Sequence, residues 1–359
     1  MNTDFRSINQ PFSNTVIVDG KTYLYFGGTA YLGIPQNEAF IHLYLEGIKK
    51  FGLNNGTSRS NNIQLGIYDA AEQEAATRFL ANDALITSSG YLAAQLTVKS
   101  LSAFGKVIYA PATHPALWLN GQPDTFSNSF SQWKHHTIET INSSQEQNYV
   151  LISNSMNNLF PEVYDFDFLE EIKPDKNIVL IVDDSHGIGV NNNGLGAFSE
   201  LPKLKNVETV VVASMAKALG IDAGLVLADK AVIAQLKNTN IFVGASPPTA
   251  AGLFAFIHAA EIYNTAWVKL QQNISHLKQN LSSSWHGAPN FPAFLTKQEN
   301  IAQKLSSYQM LISSFPYPTK DSPPINRIVL SSWHTTADLD LFIDCLAKIK
   351  GIDHSDEEV

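Results

Sequence analysis

A lysine interrupts the apolar stretch "VVVASMAKALG" at residues 210–220. Its valines are typical of a strand buried on both faces, and Lys217 follows among small residues with no acidic neighbour in the sequence. A lysine at a desolvated strand end is expected to have a lowered pKa, because burial disfavours the charged amine. Since a neutral amine is nucleophilic towards carbonyl carbons, Lys217 is a candidate for covalent chemistry with a carbonyl compound.

A second group of polar residues ends the apolar run "NIVLIVDDSHGIGV". The run is apolar through Val182 and continues as Asp183, Asp184, Ser185 and His186. A carboxylate at the end of a buried strand needs a cationic partner or several hydrogen-bond donors, because desolvation alone would protonate it. A structural network and a metal site are both open from these residues alone, although no ligand spacing supports the metal.

Two further strand ends carry residues suited to ligand binding. In "ALITSSGYLAAQL", a strand leads through Ser88, Ser89 and Gly90 into a helix that begins near Tyr91. The N–H groups of a helix N-terminus beside small hydroxyl residues form an anion site suited to phosphate. The chain has no G-x-x-x-x-G-K-[ST] motif, which argues against a nucleoside triphosphate. The stretch "VIYAPATHPALW" supplies His114, which matters if it faces the same crevice.

Alternating strands and helices have to position these residues. Such alternation indicates an α/β fold with a parallel or mixed sheet covered on both faces, in which ligands bind at the carboxyl ends of the strands. The runs that predict the strands are "ALITSSG", "KVIYAPATH", "QNYVLISNS", "NIVLIVDDSHG", "VETVVVASM" and "AGLVLADK".

The rest of the chain predicts a smaller companion domain. A hairpin turns at Asp19-Gly20, and one long helix opens at about residue 247, after which helical and strand signals indicate an α+β domain. The predicted organisation is an N-terminal segment that packs with the small domain, a large cofactor domain and a small C-terminal domain: 1–45, 46–245 and 246–359.

Composition excludes several classes of protein. The net charge of −9 argues against nucleic acid or an anionic membrane as the main partner. The single cysteine, Cys345, excludes an internal disulfide framework and a cysteine-rich metal site. The N-terminus lacks an apolar signal core, and no run of 18 apolar residues occurs, so a cytoplasmic protein without membrane contact is expected.

The groups at these strand ends together suit one cofactor. A carbonyl compound with a phosphate and a ring nitrogen would use the amine of Lys217, the anion site around Ser89 and Gly90, and the carboxylate of Asp183. The sequence therefore predicts pyridoxal 5′-phosphate (PLP) as the cofactor and no metal ion.

Motifs over most of the chain resemble the fold-type I PLP enzymes, within the class I/II aminotransferase superfamily, and most closely the α-oxoamine synthases. "YLG" resembles Asn-x-Tyr-Leu-Gly, "NNGTSRS" a Gly-Gly-Ser-Arg loop, and "SSGYLAAQ" Ser-Gly-Phe/Tyr-x-Ala-Asn. "VDDSHGIGV…GLGAF" resembles Val-Asp-Asp-Ala-His-Gly-Thr-Gly-Val followed by Gly-Arg-Gly, the most specific match. "SMAKALG" and "NRIVLSSWHTTADLD" resemble Thr-x-x-Lys-Ala-x-Gly and Leu-Arg-x-x-Leu-Ser-Ala-x-His-Thr. The implied fold is aspartate-aminotransferase-like.

The resemblance also implies roles for single residues. The catalytic ones are Lys217, which would form the Schiff base, Asp183, which would pair with the pyridine nitrogen, and His114, which would stack on the ring. Further cofactor contacts are implied for Ser89, Gly90, Tyr91, His186, Ser214 and Ser246. The implied substrate contacts are Arg327, Thr29 and Ser155. Arginine suits a substrate carboxylate because its planar fork donates two parallel hydrogen bonds.

The sequence departs from the family pattern at several of these positions. Thr29 stands in place of asparagine, and Ser246 is the remaining hydroxyl where the neighbouring subunit lends one to the phosphate. The motif Glu-Gly-x-x-Ser-Met-Asp-Gly has become "SNSMNNLFP", so its acidic residues are missing. Asn154, Ser155 or Asn157 is the candidate to take their place.

The implied function is that of a PLP-dependent acyltransferase that condenses an amino acid with an acyl thioester, on CoA or on an acyl carrier. A homodimer with shared active sites is implied, with "GTSRS" and "VGASPP" reaching across. An aminotransferase is the alternative, because it uses the same groups. A non-catalytic family subunit is a third hypothesis, against which the retention of Lys217, Asp183 and His186 argues.

Overall fold

The computed structural model describes residues 5, 7–125, 127, 129–157, 159–316 and 321–355. The chain divides into two compact units. The small unit comprises Met1–Glu38, Asn158–Glu162 and Glu261–Val359, and the large unit comprises Ala39–Asn157 and Val163–Ala260. The domain limits expected from the sequence, at 45 and 245, stay a prediction.

Strands and α-helices occur in both units, and they alternate along most of the large unit. The strands are β1 (Thr15–Val18), β2 (Lys21–Phe26), β3 (Asp83–Thr87), β4 (Lys106–Tyr109), β5 (Asn148–Asn154), β6 (Met156–Asn157), β7 (Glu162–Val163), β8 (Asn177–Asp183), β9 (Val207–Ser214), β10 (Gly224–Ala228), β11 (Ala293–Thr296), β12 (Met310–Pro316) and β13 (Pro324–Val329). The α-helices are α1 (Glu38–Phe51), α2 (Ile67–Arg78), α3 (Gly90–Leu101), α4 (Phe130–Ser143), α5 (Lys230–Lys237), α6 (Asn240–Gly244), α7 (Ala250–His258), α8 (Ala260–Asn280), α9 (Ile301–Ser307) and α10 (Thr336–Ser355).

The large unit is built on a six-stranded mixed sheet with the order β3-β10-β9-β8-β5-β4. Strands β4, β5, β8 and β9 run parallel, whereas β10 is antiparallel to both of its neighbours. Helix α3 packs against β9 and β10, and α5 packs against β3 and β10. The six apolar runs of the sequence are these six strands, and the predicted α/β fold is confirmed.

The pairing register brings the ends of these strands to one edge of the sheet. Asn154 of β5 is paired with Asp183 of β8. On the other side, Gly224 of β10 is paired with both Ser214 of β9 and Thr87 of β3. Because β3, β5, β8 and β9 end together, the polar residues that follow these strands are placed close to one another.

The small unit contains a second sheet, with the order β1-β2-β12-β13-β11. The predicted hairpin is confirmed: β1 and β2 are antiparallel, and Asp19 and Gly20 between them have φ values of 51° and 72°. A two-residue turn of this kind needs positive φ at both positions, which Asp and Gly tolerate.

A buried histidine organises the end of this sheet. His334 is fully buried, and its ring stacks on Phe26 with the centroids 4.6 Å apart. Its Nδ1 accepts the Ser331 N–H at 3.0 Å, which leaves Nε2 to donate to the Tyr25 carbonyl oxygen at 2.9 Å. The ring therefore satisfies backbone groups on both sides, and desolvation lowers its pKa.

The single long helix expected from about residue 247 is interrupted at Ala259, where α7 ends and α8 begins at the next residue. Ala259 has φ −100° and ψ 18°. Arg78 donates to the Phe256 carbonyl oxygen at 3.3 Å and lies over the Phe256 ring, so a side chain competes for the acceptor that a continuous helix would use. No helix of the described ranges combines the length and apolar character needed to cross a bilayer.

Candidate active site

Lys217 lies in the turn that follows β9, and its amine contacts a histidine. Nζ of Lys217 is 2.8 Å from Nε2 of His186, which follows β8. The turn is closed by backbone hydrogen bonds from Met215 N–H to the Ala223 oxygen and from Ile221 N–H to the Met215 oxygen. The partner that the local sequence does not offer is thus provided by the neighbouring strand.

The carboxylate of Asp183 is held at the end of β8 by a short relay of hydrogen bonds. The N–H of Ser185 donates to Oδ1 of Asp183 at 2.9 Å, and the N–H of Ser214 donates to Oγ of Ser185 at 2.8 Å. The ends of β8 and β9 are therefore connected through one serine hydroxyl. Ser185 was not assigned a role from the sequence, since a serine after a strand is an ordinary turn residue.

The predicted anion site lies at the start of α3. Ser89 caps this helix, because its Oγ accepts the Leu92 N–H at 3.1 Å and its carbonyl accepts the Ala93 N–H at 3.0 Å. The next backbone N–H groups, those of Gly90 and Tyr91, belong to the helix end, where amides have no acceptor within the helix. The predicted helix start is confirmed, and the side chain of Tyr91 is 63% exposed.

Glycine is required at the start of α3 because the helix comes very close to β9. A Cβ on Gly90 would lie 2.6 Å from Cβ and 2.7 Å from Cα of Ser214. A Cβ on Gly224 would collide with the carbonyl oxygen of Ser89. Because Gly90 and Gly224 have no side chains, the backbone N–H groups at the start of α3 can lie close to the end of β9, which leads into the turn that carries Lys217.

His114 lies in the loop after β4, and its ring is held in one tautomer. Nδ1 accepts the Ala116 N–H at 3.2 Å, so the neutral ring carries its hydrogen on Nε2. Partial desolvation lowers the pKa of His114, and the positive charge of Lys217 lowers it further, whereas Asp183 opposes both. The N–H of His114 donates to Asn154, which is paired with Asp183, and β9 beside it leads to Lys217, so the three residues predicted to be catalytic lie at the same edge of the large unit.

A second carboxylate, Asp184, is buried beneath the loop that carries His186. Its Oδ2 accepts the Ala197 N–H at 2.8 Å, and a Cβ on Gly187 or on Gly196 would collide with its carboxylate oxygens. The side chain is 1% exposed. These two glycines, matched only as family motifs in the sequence, therefore make room for a buried acid.

Burial raises the pKa of Asp184 to about 7. The nearby hydroxyl of Ser155 and the hydrogen bond from the Ala197 N–H lower the pKa of Asp184, and the charges of Asp183 and Glu200 raise it further. Ser155, predicted as a substrate contact, is itself buried and acts on this carboxyl group. Its contact with a substrate stays a prediction.

Replacing Asp184 with asparagine is expected to remove a pH dependence of the unfolding free energy. The folded-state pKa is above the ordinary value of 3.8, so the contribution of this group is fully present below pH 3.8 and is lost as the pH rises to about 7. The loss amounts to at most about 4 kcal/mol. Urea unfolding at pH 5 and pH 8 should give a smaller difference between the two pH values for D184N than for the wild type. Equal differences would contradict the assignment, and the exposed Asp175→Asn serves as the control.

The other predicted site residues lie in other parts of the two units. Ser246 is exposed and lines a cavity of about 320 Å³ with Tyr68 and the loop around Thr57 in the large unit. Thr29 and Arg327 belong to the small unit. Arg327 lies on β13 and is buried, so desolvation lowers its pKa. The substrate contacts of these residues stay a prediction.

A buried ion-pair network supports the loop that contains "GTSRS". Arg59 donates from Nη1 and Nη2 to the two carboxylate oxygens of Glu72, at 2.9 and 3.2 Å. Glu72 also accepts from Nζ of Lys237 at 2.7 Å and from the Ile86 N–H at 3.0 Å. The guanidinium group lies over the rings of Tyr68 and Phe242, at 5.0 and 5.4 Å from their centroids. The loop is thereby fastened to α2, β3 and α5.

Residues 30–345 match the family Aminotransferase class I and II, and the chain belongs to this family. The protein is accordingly a PLP-dependent transferase of fold type I. Within the described ranges, His, Cys, Asp and Glu side chains form no cluster of three or more that could hold a metal ion.

Similar proteins align over nearly the whole chain. The 8-amino-7-oxononanoate synthase of Chromobacterium violaceum is 23% identical, with 95% of this chain and 93% of the relative covered. The enzyme of the same name from Coprothermobacter proteolyticus is 22% identical, with 94% and 91% covered.

Two solved structures show the same fold. Serine palmitoyltransferase of Sphingomonas wittichii superposes with a TM-score of 0.79 at 16% identity, covering 95% of this chain and 91% of that one. The 8-amino-7-oxononanoate synthase of Francisella tularensis superposes with a TM-score of 0.68 at 19% identity, covering 92% and 99%.

The described side chains fit PLP. The large unit offers an amine at Lys217, a carboxylate at Asp183 for a protonated ring nitrogen, and the amide-lined end of α3 for a phosphate. Helix α3 approaches β9 so closely that a side chain at position 90 would fill the space between them. These groups thus agree in charge and type with the aldehyde, the ring nitrogen and the phosphate of the cofactor.

Proposed function

We propose that this protein catalyses the condensation of an amino acid with an acyl thioester, on CoA or on an acyl carrier. When bound, PLP stabilises negative charge at the α-carbon of the amino acid. The observation that supports the proposal is the contact between Lys217 and His186 beside Asp183. The two relatives, which are covered over 91% and 93% of their lengths, are named 8-amino-7-oxononanoate synthase.

The residues of the large unit have separate tasks in this proposal. Lys217 would hold the cofactor through Nζ and take up the proton that leaves the amino acid, with His186 orienting the amine. Asp183, whose carboxylate is oriented by the Ser185 N–H, would keep a proton on the ring nitrogen because its negative charge favours the protonated ring. The neutral ring of His114 would cover the cofactor, and Ser214 would contact the phosphate together with the end of α3.

The substrate contacts are a further part of the proposal. Arg327 would bind the carboxylate of the amino acid, because a buried guanidinium group offers two parallel hydrogen bonds to that group. Thr29 and Ser155 would complete the substrate contacts. Ser246 would serve the phosphate of a neighbouring copy.

A homodimer with shared active sites is part of the same proposal. Leu53 and Ile63, which flank the loop of Arg59, are 77% and 75% exposed, and Val243 of α6 is 39% exposed. Exposed apolar side chains concentrated near one loop are typical of a surface that is buried in an assembly. A cytoplasmic location, expected from the sequence, also stays a prediction.

The function can be tested by measuring thiol release. The PLP-loaded protein is incubated with single amino acids and acyl-CoAs of several chain lengths, and free CoA is measured with a thiol reagent. Release that requires both an amino acid and PLP is the expected result. Omission of the amino acid is the control for simple thioester hydrolysis.

An aminotransferase would give a different result in the same assay. It would transfer the amino group to a 2-oxo acid and would release no thiol. Amino-group transfer without CoA release would therefore overturn the acyltransferase proposal and support the alternative. If a synthetic acyl-carrier thioester is used and acyl-CoA is not, the reaction class stands and the donor is a carrier protein.

A further inference from the structure

The side chain of Asn154 bridges two backbone groups of the loop that carries His114. Nδ2 of Asn154 donates to the Ala112 carbonyl oxygen at 2.7 Å, and Oδ1 accepts the His114 N–H at 3.2 Å. Both partners are backbone groups with one possible role each, so the orientation of the amide is determined by them. Ala112 and His114 lie 42 and 40 positions before Asn154 in the sequence, so both contacts are long-range.

This bridge lies where the backbone ladder between β4 and β5 ends. The last ladder bond runs from the Ala110 N–H to the Ile152 oxygen at 2.8 Å. Pro111 follows and has no N–H, and Ala112 has a φ of 56°, a left-handed conformation that is unfavourable for alanine. The loop therefore leaves the strand direction, and the side chain of Asn154 provides the hydrogen bonds that the ladder no longer makes.

The two hydrogen bonds require a carboxamide. A carboxylate at this position could accept the His114 N–H but could not donate to the Ala112 oxygen. A carboxylate at position 154 would also place a negative charge beside that of Asp183, its paired residue on β8. The backbone next to Asn154 is held by β8, because the N–H of Ser155 donates to the Asp183 carbonyl oxygen at 2.8 Å.

We propose that Asn154 is a positioning residue for His114. Its carboxamide sets the backbone of Ala112–His114, so that the Ala116 N–H reaches Nδ1 and the ring is presented with its hydrogen on Nε2. The functional meaning of this position rests on the proposed role of His114 as the residue that covers the cofactor. The positioning itself can be measured on the protein without cofactor.

The experiment compares Asn154→Ala and Asn154→Asp with Asn148→Ala in the full-length chain. Asn148 is a matched control, because it lies at the opposite end of β5 and accepts a hydrogen bond from Asn177 at 3.0 Å. The ring of His114 is followed by nitrogen-15 NMR of histidine-labelled protein, with its signals assigned through His114→Gln. The dissociation constant of PLP is measured by absorbance titration of each variant.

For N154A we expect the ring nitrogens of His114 to shift from values of a single tautomer towards values averaged over both, and PLP to bind about tenfold more weakly. For N154D we expect partial retention of the tautomer and a higher titration midpoint of the ring, because a carboxylate favours its protonated form. N148A should match the wild type in both measurements. The N154D variant tests the proposal even if N154A does not fold.

Two results separate the positioning role of Asn154 from the proposed function. If His114 signals and PLP affinity in N154A and N154D equal those of the wild type, Asn154 does not position the ring and the proposal is wrong. If the wild type binds no PLP while the His114 signals still respond to N154A, the positioning stands and the proposed function fails.

Discussion

Replacing Lys217 with alanine is expected to abolish the covalent link to PLP and to lower the rate of the reaction by at least about a thousandfold. The amine that contacts His186 at 2.8 Å would be lost, and no backbone group of the turn can take over nucleophilic attack or proton transfer. Two quantities are measured: the absorbance band of the lysine-linked cofactor near the edge of the visible range, and the release of thiol that depends on the amino acid.

Two further variants separate the roles of this lysine. Lys217→Arg keeps a cation beside His186 but cannot join the aldehyde, so it should lose the band and the activity while binding PLP non-covalently. Lys230→Ala removes an exposed lysine at the start of α5 and should leave both readouts unchanged. Retention of the band and of the activity in K217A would show that the covalent anchor has been placed on the wrong residue.

Replacing Glu72 with alanine is expected to lower the free energy of unfolding by about 3–5 kcal/mol. The carboxylate is 4% exposed and accepts from Arg59, Lys237 and the Ile86 N–H. Its removal leaves the Ile86 N–H without this acceptor and leaves the buried Arg59 with the longer, 3.3 Å contact to the exposed carboxylate of Asp69. Arg59 is itself only 5% exposed and cannot turn to water without moving its loop. Urea unfolding followed by circular dichroism provides the measurement.

A neighbouring glutamate offers the control for this effect. Glu74 lies on the same helix and pairs with Arg78 four residues later, with 31% of its side chain exposed. Glu74→Ala should cost no more than about 1 kcal/mol, because partly solvated ion pairs contribute little. Similar losses for E72A and E74A would show that the network of Arg59 is no more than a surface ion pair.

Much of the architecture could be predicted because its signals are local. The strands of the large sheet are continuous apolar runs, the hairpin has Asp19-Gly20 at its turn, and α3 starts after a serine that caps it. The sequence pattern after residue 247 indicates one long helix and gives no sign of the interruption at Ala259, because the arginine that competes for the helix hydrogen bond comes from α2. Periodicity reports burial along one segment and contains no information on such a distant competitor.

The same distinction applies to the site. Residue types alone indicate which chemical groups are available: an amine at Lys217, a carboxylate at Asp183, a histidine at position 114 and a helix start that contains glycine. The contact of Lys217 with His186, 31 residues away, is visible only in the folded chain. The same holds for the hydrogen bonds from Asn154, one of three candidates in the sequence, to the loop of His114. Residue types can be read directly from the sequence. These contacts, in contrast, depend on strand register and on the close approach of α3 to β9, which arise only when the sheet assembles.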